Sequence, residues 1–160
     1  MGNMLIGLLG RKSDALQGAR VKPLEVNVIF TSASATVTAM RQAARLASDL
    51  GASVRVLAPQ VVSFATDLEH PPVNTDFLAQ RYRAIAAEAG VDANVQIVLC
   101  RDALDALRMI LKPGSLVVLG GSRHWWPARE RKLARALEAA GHQVLFVSKE
   151  STTCSTCSTY

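Results

Sequence analysis

At 160 residues, 49 % of them apolar and 19 % charged, the chain has the length of one domain and enough apolar side chain to bury a core. Its longest apolar runs, at 116–119 and 144–147, fall far short of the roughly 18 residues of a membrane span. The net charge of +5 permits contact with nucleic acid, acidic lipid or phosphate without requiring it, and three cysteines make no disulfide framework.

Residues 1–23 read as an N-terminal appendage, closed by Pro23. The apolar "MLIGLL" has no basic residue before it and no small-residue cleavage site, so it does not read as a secretory leader. Ile6 stands against the N-myristoylation pattern. The expectation is a cytoplasmic protein with no membrane span.

From residue 24 the pattern becomes regular. "LEVNVIF" is a β-rich run that ends in the small polar stretch "TSASAT". "VTAMRQAARLASDLG" follows as an amphipathic helix, with Met40, Ala43, Ala47 and Leu50 on one stripe and Gly51 as its stop. "SVRVLAP" is a second strand, 60–74 a loop, and "TDFLAQRYRAIAAEAG" a second helix ended by Gly90. "NVQIVLC" is a strand, and "DALDALRMILK" a helix with Asp102 as N-cap, stopped by Pro113-Gly114. "SLVVLGG" is a strand, "PARERKLARALEAAG" a helix opened by Pro127, and "HQVLFVS" the last strand. Strands alternating with helices predict a three-layer, doubly wound α/β domain over 24–149 with a parallel five-stranded sheet. The uninterrupted apolar runs "LVVL" and "VLFV" fit strands buried on both faces. The low-complexity stretch 150–160 reads as a disordered tail.

Three stretches, "AARLASDLGASVRVL", "LVVLGGSR" and "ARALEAAGHQVLFV", taken with the order of elements, resemble the universal stress proteins, an adenine nucleotide alpha-hydrolase-like fold. "VVLGGSR" is the sharpest of these, since the family typically carries Val-Val-x-Gly-Ser-Arg-Gly there. The resemblance implies strand order 3-2-1-4-5, a ligand position between the first and fourth strands, and a homodimer formed through the last strand. It also implies two anchors for nucleotide. One is an aspartate at the end of the first strand, where this chain has Thr31 followed by Ser32. The other is a Gly-x-x-Gly loop followed nine residues later by Gly-Ser or Gly-Thr. Gly121 matches its first glycine, but His124 takes the place of the second, and Ala134 and Arg135 the place of the last pair. On this reading the ATP motif is degenerate and no cofactor is expected, although ATP or AMP stays open as a ligand.

Amide groups at glycine-lined helix starts bind phosphate because they are unpaired and lie at the positive end of the helix. His124 and Trp125 put bulk where that loop would admit phosphate. Gly120, Gly121, Ser122 and Arg123 could still hold an anion; the favoured reading is that the glycines only let the strand leave the sheet. Trp125 and Trp126 could stack an adenine beside Arg123, but covering the sheet edge or an interface is preferred.

The basic run Arg129, Arg131, Lys132 and Arg135 reads as a solvated helix face opposite Leu133 and Leu137. No nucleic-acid partner is expected of it. Cys154 and Cys157 are two ligands short of a zinc site, and Cys100 reads as a small buried residue. His70, His124 and His142 are scattered, and no nucleophile has a base and acid at readable spacing, so no enzyme is expected.

The leading expectation is a regulatory or interaction module. The alternatives are an adenine-nucleotide or anion binder using Thr31, Ser32, Gly120, Gly121, Ser122 and Arg123, and a soluble domain associated with a membrane transporter. A nucleotide hydrolase is the weakest.

Overall fold

The computed structural model describes residues 24–65, 74–121 and 128–148. Five strands alternate with four helices in the order β1 (Glu25–Ile29), α1 (Ala33–Leu50), β2 (Ser53–Val61), α2 (Thr75–Glu88), β3 (Ala93–Cys100), α3 (Ala103–Ile110), β4 (Leu116–Gly121), α4 (Ala128–Ala139) and β5 (Gln143–Ser148). All strand pairs are parallel, as the alternation of elements predicts, and the sheet order is β3-β2-β1-β4-β5, as the resemblance implies.

Alternate residues of the strands feed two cores. Val26, Val28, Val54, Val56 and Ile97 pack with Met40 and Ala43 of α1 and with Tyr82 and Ile85 of α2. On the other face Ile29, Leu57, Val117 and Leu119 pack with Leu107 of α3 and Leu137 of α4. The sheet is therefore the middle of three layers. Fully burying such a Val, Ile or Leu contributes about 1.5–3 kcal/mol, so these two cores dominate the stability.

Two elements run at least two residues longer than in the sequence reading. Helix α1 starts at Ala33 rather than Val37, because "SASAT" winds its first turn instead of a loop. The Thr36 amide donates to the Ser32 carbonyl at 2.8 Å, Thr36 is fully buried, and the two alanines favour helix. Strand β2 runs through Pro59 to Val61. Proline is tolerated there because β1 has already ended: Leu57 accepts the last bond on that side, from the Phe30 amide at 2.9 Å, and the nitrogen of Pro59 faces no partner strand. Helix α2 is capped by Asn74, whose side chain accepts from the amides of Asp76 and Phe77, each at 3.0 Å. Asp102 caps α3 as expected, accepting from the Asp105 amide at 3.0 Å.

Candidate functional site

The strand order reverses between β1 and β4, and parallel sheets of this kind place ligands outside the carboxyl ends of their strands at such a point. Thr31 and Ser32 follow β1 there, and Gly120 and Gly121 end β4. Of the residues singled out in the sequence these four come together; Ser122, Arg123, His124 and Trp125 lie outside the described residues.

The join is tight. The Thr31 hydroxyl donates to the Gly120 carbonyl at 3.0 Å, tying the two strand ends across the switch point. The Thr31 amide in turn donates to the Thr36 hydroxyl at 3.4 Å. Gly120 has a structural reason to be glycine. Its Cα faces the first turn of α1, where a Cβ would overlap the Ala35 carbonyl, 2.6 Å from its carbon. Gly120 therefore stands inside the strand to let a helix backbone approach, rather than to release the strand from the sheet. Gly121 pairs with the buried Ser148 of β5.

Ser32 is the N-cap of α1 by backbone conformation, but its side chain makes no capping bond, and no acidic residue occupies the first turn. Among the described residues, neither the cap side chain nor the first turn of this 18-residue helix compensates its positive end beside Thr31. Such an end can face an anion. Thr31 can still accept a hydrogen bond through its oxygen, but it brings no charge.

The sequence reading missed a cluster beside this edge. Gln60, at the end of β2, donates to the Tyr82 hydroxyl at 2.7 Å, and the Tyr82 ring lies 4.5 Å from that of Phe30, tilted by 50°. Tyr82 is only 4 % exposed. Burial raises its pKa above the usual tyrosine value, partly opposed by the positive charge of Arg81 and the bond from Gln60. The signal was in the sequence: one tyrosine on the buried stripe of an alanine-rich helix, where its hydroxyl must find a partner. Further along the edge, Arg101 donates to the carbonyls of Val62, at 3.2 Å, and Ser63, and its guanidinium lies 5.2 Å from the centre of the Phe64 ring. These contacts pin the chain leaving β2 to the end of β3.

Other expectations meet the structure directly. Arg131, Lys132 and Arg135 are exposed and Leu137 is fully buried, so this part of the basic run is a solvated face. Cys100 is buried at the end of β3. His142 is buried in the turn before β5. Cys154, Cys157 and His70 lie outside the described residues. Among the described residues no helix is long and apolar enough to cross a membrane.

Comparison with protein-family models and with curated proteins finds no match. Solved structures do match. A universal stress protein in complex with cAMP is 19 % identical, with a TM-score of 0.53 over 79 % of this chain and 97 % of that one. The fold is that of the universal stress proteins. A universal stress protein from Archaeoglobus fulgidus in complex with dAMP is 14 % identical, with a TM-score of 0.52 over 79 % of this chain and 98 % of that one. Another from Archaeoglobus fulgidus is 12 % identical, with a TM-score of 0.53 over 77 % of this chain and 92 % of that one.

Proposed function

We propose that the chain is a universal-stress-protein-like regulatory or interaction module, non-catalytic, which works through contacts with other proteins and does not grip ATP in the family's usual way. The observation that carries this reading is the bond from Thr31 to Gly120. At the position where the resemblance implies a carboxylate for the nucleotide, the chain has a neutral hydroxyl whose proton already ties two strands together. Gly120 is likewise committed, to the backbone of α1.

Calorimetric titration of the full chain with ATP, AMP and cAMP at millimolar concentration tests this. The expected result is no saturable heat with any of the three. Saturable binding would overturn the reading, and so would thermal unfolding raised by the same ligands, since a ligand at 100 times its dissociation constant adds about 2.7 kcal/mol to stability.

A second reading, an adenine-nucleotide or anion binder, is favoured by the start of α1, where the Ser32 side chain makes no capping bond and the first turn has no acid, and by the cAMP and dAMP held by two proteins of the same fold. Under it, Thr31, Ser32, Gly120, Gly121, Ser122 and Arg123 form the residual cleft. Arg123→Ala then weakens binding roughly tenfold, the equivalent of one charge-assisted contact. Unchanged affinity would remove Arg123 from that cleft.

A further inference from the structure

At the opposite end of the sheet the strands carry polar residues on positions that elsewhere point into the core. Glu25, Asn27, Arg55 and Gln96 alternate with the apolar residues of the α1–α2 core and so lie on the α3–α4 face. Helix α3 explains why this part of the face is not apolar. Its eight residues make it about 12 Å long, whereas the nine residues of β2 span about 30 Å. It covers Ile29 and Leu57 and stops short of the amino-terminal half of β1 and β2.

A cavity of about 390 Å³ opens there, lined by Glu25, Asn27, Arg55, Lys112, Ser115 and Gln143 among others. One Glu25 carboxylate oxygen lies 3.6 Å from Arg55 and 3.8 Å from Lys112. Both distances exceed a good hydrogen bond, so one acid is shared loosely between two cations and the cluster keeps an excess positive charge. Gln96 orients Arg55 by accepting from its Nε at 3.1 Å and from an Nη. Asn27 is 3 % exposed; its amide nitrogen donates to the carbonyls of Glu25 and Leu116 at 3.4 and 3.3 Å, while its Oδ1 is buried with no partner among the described residues. An acceptor buried in this state is expensive unless a donor reaches it.

We propose that this cavity is a binding site for a small carboxylate bearing a hydroxyl or amino group on the adjacent carbon. The ligand carboxylate sits between Arg55 and Lys112. Its neighbouring donor serves the Glu25 carboxylate. Lys112, with a side chain 53 % exposed, swings aside for entry and closes onto the bound anion. The site is independent of the one at Thr31, since it lies at the other end of the strands.

The test is an NMR titration of the full chain with glycolate, with acetate lacking the adjacent donor, and with chloride at matched ionic strength. Glycolate should shift the amide signals of Asn27, Arg55 and Gly114 saturably, and more tightly than acetate. Lys112→Ala should weaken this roughly tenfold, and Arg55→Gln should do at least as much. Lys112 is a loop residue, so its variant keeps the fold and remains informative if Arg55→Gln does not. The proposal is overturned by equal responses to glycolate, acetate and chloride, by shifts confined to Thr31 and Ser32, or by a Lys112→Ala protein that binds as before.

Discussion

Gly120 and Ala35 meet through backbone alone, so no rotamer change can relieve a side chain added between them. Gly120→Ala should therefore cost about 3 kcal/mol, the upper end of overpacking effects, read as a lower midpoint in urea unfolding. Gly141→Ala is the useful contrast. There φ is +87° with nothing within 4 Å of the added methyl, so only conformational strain remains, about 1–2 kcal/mol. Equal losses in the two variants would mean that α1 shifts to make room. Tyr82 offers a second test, through pH. Its folded pKa is raised by burial, so above the unfolded value the unfolded chain releases this proton while the folded chain keeps it. Fewer protons on the unfolded state make stability fall as pH rises, here from about pH 10 upward. Tyr82→Phe removes that part of the alkaline loss, at a cost of about 1 kcal/mol at neutral pH from the unpaired Gln60 amide. Parallel pH profiles for the two proteins between pH 9 and 11 would refute the assignment.

The helices show which ends were legible in the sequence. Asp102 before an apolar run announces its own cap, and Gly51 and Gly90 mark stops because each adopts a left-handed conformation, with φ of 61° and 70°. The start of α1 is silent by comparison. Ser32 has the residue type and backbone of a cap but makes no side-chain bond, and the turn that follows, small and polar, reads equally well as loop. What decides it is Thr36, held inside the fold beside Thr31, a tertiary contact that no local pattern encodes. The candidate site was legible in the same uneven way. The switch point and its glycines follow from the order of strands, but the bond from Thr31 to Gly120 joins residues 89 positions apart. The polar cluster at Glu25 and Arg55 was missed because alternation on a short strand looks like ordinary exposure. Because the Ser32 side chain makes no capping bond, Ser32→Asp should stabilise the protein by about 0.5–1 kcal/mol, through such a bond and the helix dipole. Asn74→Ala should destabilise it by about 1 kcal/mol. Thermal unfolding of both variants reads the two signs. A destabilising Ser32→Asp would show that the start of α1 is already satisfied.

For the whole molecule, what matters is how its sheet ends. A parallel sheet is covered on its faces but leaves two edge strands with unpaired backbone groups. Among the described residues the outer strands of the sheet are β3 and β5. The two edges are unlike. β3 carries the exposed Asn94 and the bonded Gln96, polar groups that suit an edge facing water. β5 carries Val144, Leu145 and Phe146 in succession, each only partly buried, although Val147 and Ser148 beyond them are buried. Apolar residues left half-covered on an edge strand suit a partner, which is why the proposed interaction module is expected to dimerise through β5. Leu145→Lys tests this, since a lysine on an edge strand opposes pairing while its long stem can still cover the apolar surface. Sedimentation velocity should show a dimer for the unsubstituted chain and a monomer for Leu145→Lys, with circular dichroism unchanged. A dimer that survives this substitution would place the interface elsewhere, and an unsubstituted chain that is monomeric at all concentrations would remove self-association from the proposed function.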